Sequence, residues 1–436
     1  MSIEAEVDHL IDTRGGKELL TPVYVDPADR INDFIFRSGG TTASYSVLTD
    51  HGRIIVNTGM GYEAPHHKRV LDALRPGPTS HIITTQAHVD HVGGVALFRE
   101  PGTVYIAQAE NAACQFDDKR IQALRARTAG TWFDVTGAAA RRIAIENPGV
   151  SMMQDAPTPD LTFDKRLGLT VDGLRVELIA SAGETIDNCI VWLPEHRIAM
   201  ISNMLGPLFP HFPNLNTLRG DRYRFPEAYL KTVRTLRDLQ PELLITGRAA
   251  PIAGAELIDA CLARLHAAVD FVHTETLRGM NEGTDIWTLM REVQLPAHLR
   301  VGQSYGKVSW CVRTIWEIYV GWFTLQSTTE IYPDARVDAL AALVDAAGAD
   351  VAVEVARAAL GRGDAVVAIH VAEGVLARDA GNDDALAVMV DSHQHLLDSG
   401  GEQNLWENGW LREQIARWTF SRTTGSVSGV EPSRPL

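Results

Sequence analysis

Cysteine is scarce in this chain: Cys114, Cys189, Cys261 and Cys311 are the four among 436 residues. They are widely spaced, and no two form a C-x-x-C pair. That argues against a disulfide framework or a structural zinc knot and fits reduced, mostly buried cytosolic thiols. Long apolar runs are also absent, so no segment reads as a membrane span and no membrane partner is expected. The first residues, Met1 to Asp8, are acidic and carry no apolar stretch. No signal peptide is expected, and the localisation reads as cytoplasmic. Positive charge is in deficit, with a formal net charge of −15. A protein that grips nucleic-acid phosphates needs a basic face, so no nucleic-acid partner is expected. A local basic pocket for a small anion is still compatible with that balance. The composition, 45% hydrophobic and 22% charged, is that of an ordinary globular chain, and the length suits two or three domains.

The most informative stretch is Ile82 to Gly94. Ile82–Thr85 is apolar and β-branched, and reads as a buried strand. It runs into Gln86-Ala87-His88-Val89-Asp90-His91, then Gly93-Gly94 and a helical Val95–Arg99. Imidazoles and a carboxylate at a strand end suit a borderline metal such as zinc. Taken alone, the same residues also describe a hydrogen-bonded surface turn. The two glycines let backbone approach where a side chain would clash.

Elsewhere the patterns are plainer. Residues 1–36 read as an irregular lead-in. Tyr45–Thr49 and Arg53–Gly59 read as strands, with Asp50-His51-Gly52 as their hairpin turn. His66 and His67 open a polar helix; adjacent helical residues diverge, so the pair reads as solvated rather than chelating. Val104–Ala107 is a short strand, Ala109–Ala129 a polar helix, and Met152–Gly168 a loop. Leu169–Val171, Leu174–Ala180, Cys189–Leu193 and Ile198–Ile201 read as strands. This mixture predicts an α/β fold. From Ala255 the spacing is helical, and Ser309–Phe323 is an aromatic helix of interface or substrate-wall type. Asp338–Leu397 is alanine-rich, with breaks at Ala359–Asp364 and Asp379–Asp384, as in stacked TPR-like helix pairs. Asn404–Trp418 adds a helix, and the tail after Arg422 reads as disordered.

The stretch Gln86 to His91 with Gly93-Gly94 resembles the H-x-H-x-D-H signature of the metallo-β-lactamase superfamily, with Gln86 at the first histidine position. Asn57-Thr58-Gly59 resembles the acidic-Thr-Gly turn that precedes it. In Ala182–Asn188, Glu184 stands where most members have a histidine; there the chain is similar to alkyl sulfatases, which use a carboxylate. Asn203 stands at an acidic bridging position, and Arg248 where a last histidine ligand is usual. Asn214-Leu215-Asn216-Thr217-Leu218-Arg219-Gly220 resembles the alkyl sulfatase segment that gives an Asn and an Arg to the sulfate pocket. The C-terminal helices resemble the alkyl sulfatase dimerisation domain.

The resemblance implies a four-layer αββα sandwich followed by an all-α, TPR-like dimerisation domain. The expected segments are a lead-in (1–36), a catalytic domain (37–255), a helical connector (256–330), the dimerisation domain (331–422) and a tail (423–436). It implies a metal-dependent hydrolase in which metal-bound water attacks a sulfate ester, carboxylic ester or amide of a small organic molecule. His88, Asp90, His91 and Glu184 would hold the metal, with Gln86 and Asn203 as weak contributors; zinc is expected, one ion rather than two. Asp90 would orient the water or take its proton. Asn214, Thr217, Arg219 and Arg248 would hold substrate oxygens, since a guanidinium offers them a fixed fork. His211, a spare imidazole three residues before Asn214, is expected with them at the substrate and could also substitute as a ligand. Asp90, Asn214 and Arg219 form the expected catalytic set, and a homodimer through the C-terminal helices is implied. Because positions 86, 203 and 248 depart from the pattern, the alternative is a metal-depleted, non-catalytic dimer that binds a ligand or acts as a scaffold.

Overall fold

The computed structural model describes residues 2–424 except Pro76, Met153, Asn216, Tyr223 and Glu402. The first sheet holds β1 (Asp29–Arg30), β2 (Ile35–Ser38), β3 (Ser44–Leu48), β4 (Arg53–Val56), β5 (Thr79–Ile83), β6 (Val104–Gln108) and β7 (Leu161–Phe163), in chain order. Pairing is antiparallel from β1 to β4 and parallel from β4 to β7. The second sheet contains β8 (Arg166–Val171), β9 (Leu174–Ala180), β10 (Cys189–Leu193), β11 (Ile198–Ser202), β12 (Leu243–Thr246) and β13 (Ile252–Ala253). Its strands also neighbour one another in chain order, and its one parallel pair is β11 with β12.

Side chains alternate across each strand, and the sequence uses both faces. Ile54, Val56, Ile83 and Ile106 turn inward to meet Val176, Leu178, Val191, Met200 and Ile245 of the second sheet. Ile55, Ile82, Tyr105 and Ala107 turn outward, against Ala64 and Leu71 of helix Ala64–Asp72 and Val95 and Phe98 of helix Val95–Phe98. Each fully buried isoleucine contributes on the order of 2 kcal/mol. Helix Ala255–Asn281 packs on β12 and β13, beside helix Pro226–Leu239. The fold is the expected αββα sandwich.

Several local expectations are corrected. The lead-in is regular: helix Ile3–Thr13 is capped by Ser2, whose side chain accepts from the Ala5 amide, and it buries Val7 and Ile11. Val7 and Ile11 are four apart on one helical face, a pattern the acidic residues around them obscured. β1 and β2 follow within the same stretch. The polar helix breaks into Asn111–Arg120 and Gln122–Trp132, and helix Asp134–Glu146 follows. The loop expected from Met152 to Gly168 contains β7 and the start of β8. His67 is fully buried and pairs with Ser38 Oγ at 2.8 Å, while His66 is half-buried. Gly40 and Gly59 leave the room: a Cβ on either would lie within 3 Å of the His67 ring.

By its internal packing the chain divides into two units, Met1–Arg125 with Phe133–Tyr319, and Ala126–Trp132 with Val320–Leu436. In the second unit, helices Arg336–Ala347, Ala349–Gly361, Ala365–Leu376, Asp383–Ser399 and Leu405–Thr424 pack in succession. Its core is built on small side chains, Ala352, Ala356, Ala359, Ala368, Ala372 and Ala385, with Val353, Val375 and Met389. The two expected breaks fall where helices end. A further break at Gly348, with φ 88°, was hidden in the alanine-rich run. Trp132 stacks on Trp410 with ring centroids 6.0 Å apart. The tail expected to be disordered lies outside the described residues from position 425. Among the described residues, no helix is long and apolar enough to cross a membrane.

Candidate active site

The site is built in the first unit by loops at the carboxyl ends of β5, β9, β11 and β12, where α/β sheets place ligands. The turn after β5 is fixed from several sides. Asn57, at φ 58°, accepts from the Thr85 amide and hydroxyl through Oδ1. Thr58 donates to the His91 carbonyl from both its amide and its hydroxyl. Gly93 and Gly94 sit where a Cβ would lie 2.5 Å from the Gly61 nitrogen and 2.8 Å from the Thr58 carbonyl oxygen, respectively. The close approach expected of this pair is present. The Cys189 amide donates to the Thr85 carbonyl at 2.9 Å and ties the turn to β10.

At the centre lies a directed chain of amides. The Thr185 backbone N–H donates to Asn188 Oδ1 at 2.8 Å. Asn188 Nδ2 therefore faces the other way and donates to Gln86 Oε1 at 2.7 Å and to the Thr85 carbonyl at 3.1 Å. This orients Gln86 in turn. Its Nε2 lies 2.6 Å from His91 Nε2, 3.3 Å from Glu184 Oε2 and 3.2 Å from His88 Nδ1. Its two protons go to His91 Nε2 and Glu184 Oε2. Burial keeps the His91 imidazole neutral, its pKa lowered to about 4. Asn203 Nδ2 donates to Thr42 Oγ1 at 3.1 Å, and Thr42 donates to Asp90 Oδ2 at 2.5 Å.

Around this centre, cations and carboxylates interleave. Arg224 lies 3.6 Å from both Glu184 and Asp221. Arg219 and Arg125 reach Asp221 at 3.3 and 3.4 Å. His88 Nε2 is 3.5 Å from Asp221 and its Nδ1 3.8 Å from Glu184. Arg248 Nη2 is 3.9 Å from Asp90 Oδ2. Burial alone would strip the charge from His88, but Asp221 and Glu184 outweigh it and push its pKa up to about 10. Burial likewise opposes the Glu184 charge, yet His88 and Arg224 hold it at about 2. Asp90 and Asp221 are held well below the usual carboxylate range against their burial, Asp90 by Arg248, His88 and the Thr42 hydroxyl, Asp221 by His88 and the arginines.

Of the residues singled out from sequence, Gln86, His88, Asp90, His91, Glu184, Asn203, Arg219 and Arg248 are brought together. Asn214 is buried nearby, its carbonyl accepting from Arg224 Nη1 at 2.9 Å. Thr217 is buried, and its hydroxyl has no partner among the described residues. Asn216 lies outside the described residues. His211 is drawn away: its Nε2 pairs with the Ile11 carbonyl at 2.7 Å, in a slot kept open by Gly15 and Gly302. Thr42, Arg125, Asn188, Asp221, Arg224 and Tyr305 were missed. Asp221 and Arg224 carried a signal, lying in the same segment as Arg219. Tyr305, whose hydroxyl reaches Glu184 Oε1 at 3.5 Å, carried none.

A divalent ion needs three or four donor atoms converging on an open point. Among the described residues, no three His, Cys, Asp or Glu side chains form such a group. The point between His88, His91 and Glu184 holds the Gln86 amide nitrogen, which has no lone pair to offer. Asn203 Oδ1 is a buried acceptor without a partner among the described residues, but one amide oxygen is a weak ligand. As placed, the donor set does not fit a metal.

Comparison with known proteins agrees with this architecture. Residues 37–248 match the Metallo-beta-lactamase superfamily and residues 286–414 match the Alkyl sulfatase dimerisation family. The chain is thus a metallo-β-lactamase-fold protein. More narrowly, it carries an alkyl sulfatase dimerisation domain and resembles alkylsulfatases. It is 28% identical over 293 residues to a linear primary-alkylsulfatase of Pseudomonas sp. (strain ATCC 19151), across 62% of this chain and 54% of that protein. An (R)-specific secondary-alkylsulfatase of Pseudomonas sp. is 26% identical over 252 residues, 56% of this chain and 37% of that one. The chain thus spans about half or less of the length of these relatives. The structure of a stereoselective inverting sec-alkylsulfatase from Pseudomonas sp. superposes with a TM-score of 0.75 at 21% identity, over 92% of this chain and 66% of that one.

Proposed function

We propose that this protein is an alkylsulfatase-like hydrolase acting on a small organic ester of a tetrahedral oxyanion, a sulfate ester first among them. The observation that carries the reading is the gathering of Arg125, Arg219, Arg224, Arg248 and His88 at one site in a chain of net charge −15. Among the described residues, buried donors there still await an acceptor: Arg224 Nε, Arg248 Nε and the Thr217 hydroxyl have no hydrogen-bond partner. Buried polar groups are normally paired, so a ligand rich in oxygens suits them. Next to these residues in the chain stand the exposed apolar side chains Val89, Ile186, Leu218 and Phe225, which suit the organic part of such an ester.

In this reading Arg219, Arg224, Arg248, Asn214 and Thr217 hold the oxyanion and bear the charge that grows on it as the ester bond breaks. Asp90 takes a proton from the attacking water, and His88 gives one to the departing oxygen, so that an alcohol and an inorganic anion leave. A homodimer through the C-terminal unit belongs to the same reading, and light scattering on the intact chain tests it.

Release of inorganic sulfate from a series of alkyl sulfates is the direct test, with carboxylic esters and amides alongside. Wild type should release sulfate, and Arg219→Ala should raise KM about tenfold, the loss of one charge-assisted contact. Sulfate binding without turnover of any of these substrates refutes hydrolysis. It would favour the second reading, a ligand-binding protein, which the Gln86 amide standing among the would-be ligands supports.

A further inference from the structure

Three departures in this site compensate one another. The Gln86 amide nitrogen stands within 3.3 Å of His91 Nε2, His88 Nδ1 and Glu184 Oε2, and Asn188 fixes its direction. It presents two protons where a metal ion would present charge. Arg248 stands on Asp90 at 3.9 Å, and its loop is tied down at several points. Its own Nη1 donates to the Leu20 carbonyl, Arg37 donates to the carbonyls of Arg248 and Ala249, and Arg14 donates to that of Ala250. Asn203 is neutral and buried beside Thr42 and His91. A carboxylate at 203 would add a buried charge in need of a further cation, whereas an amide adds none.

The consequence is that each of three carboxylates has a cation and positive charge is left over. Asp90 has Arg248, Glu184 has Arg224 and His88, and Asp221 has Arg219, Arg224, Arg125 and His88. Each of these carboxylates already meets a cation supplied by the chain. We propose that the protein assembles this site with its own donors in place of divalent ions, Gln86 between the imidazoles and Glu184, Arg248 on Asp90, and binds its oxyanion ligand without metal. The oxyanion clause rests on the reading in the previous subsection; the metal clause stands apart from it.

The test is zinc stoichiometry by elemental analysis. Wild type purified without chelators, incubated with excess zinc and desalted, should carry about a tenth of an equivalent or less. The Q86H/R248H variant, folded by circular dichroism, should carry about one equivalent. Wild type retaining about half an equivalent or more, lost in His88→Ala, overturns the proposal. So does a folded Q86H/R248H variant that stays empty; if that variant fails to fold, the wild-type stoichiometry decides. Sulfate affinity by titration calorimetry, before and after dialysis against a chelator, should change less than about twofold, and its loss after dialysis also overturns the proposal. Failure of sulfate to bind in either state refutes the oxyanion reading alone, while the zinc content still decides this one.

Discussion

Removing Arg224 should expose how much of the site's stability is charge matching. Its guanidinium is 3.6 Å from Glu184 and 3.6 Å from Asp221, and the Arg224 and Glu184 side chains are each 6% exposed. At that separation and an effective dielectric constant of about 20, one ion pair is worth about 4–5 kcal/mol before desolvation. Asp221 retains Arg219, Arg125 and His88, so the loss falls on Glu184, left with His88 at 3.8 Å. Breaking a buried pair from one side costs about 3–5 kcal/mol, because the orphaned charge stays buried. Arg224→Met should cost that much in denaturant titrations followed by fluorescence and circular dichroism together. Glu184→Gln should recover much of it: the double variant should be more stable than the sum of the single losses by about 2 kcal/mol or more. The cycle also cancels the separate loss of the Arg224 hydrogen bond to the Asn214 carbonyl. A coupling below about 0.5 kcal/mol would mean that water screens the pair, and the charge-balance reasoning would fail.

Two further outcomes are expected. Burial lowers the His67 pKa to about 3, below the value near 6.5 of an unfolded histidine. As pH falls below 6.5 the unfolded state takes the proton first, so His67 should erode stability by about 1.4 kcal/mol per pH unit toward pH 3 and contribute no slope above 6.5. Stability curves of wild type and His67→Gln from pH 7 to 4 check this; equal slopes would refute it. Gly94→Ala would place a Cβ 2.4 Å from Ala64 Cβ and 2.8 Å from the Thr58 carbonyl, and should cost about 1–3 kcal/mol. Gly149→Ala, where a Cβ meets nothing within 4 Å, is the control and should stay within about 0.5 kcal/mol.

What could be read from sequence was what repeats locally. Short apolar runs in Arg53–Gly59 and Val104–Ala107 announced strands, and the knot of polar residues after Ile83 announced the site. Glu184, Arg219 and Arg248 were found by resemblance, and the structure brings them to that knot. The partners that fix the charges come from distant positions: Arg125 precedes Asp221 by 96 places and Tyr305 follows Glu184 by 121. No local pattern encodes such meetings. Gln86 shows a subtler limit. In sequence it is a weak ligand in a histidine's place; in space Asn188 turns its nitrogen inward, and it becomes a donor. His211 failed for the opposite reason, since the void left by Gly15 and Gly302 captures its ring.

The first turn of the chain and the last loop of the site close on each other late. Arg14 grips the Ala250 carbonyl and the Thr246 hydroxyl across sequence separations of 236 and 232 residues, and Leu20 receives Arg248 across 228. During synthesis at about 5–20 residues per second, helix Ile3–Thr13 therefore waits roughly 10–50 s before its binding surface exists. Contacts of such long range must also overcome a large loop-closure entropy before they reward it. Arg248 therefore meets its anchor, the Leu20 carbonyl, only after the more than two hundred residues between them have been made.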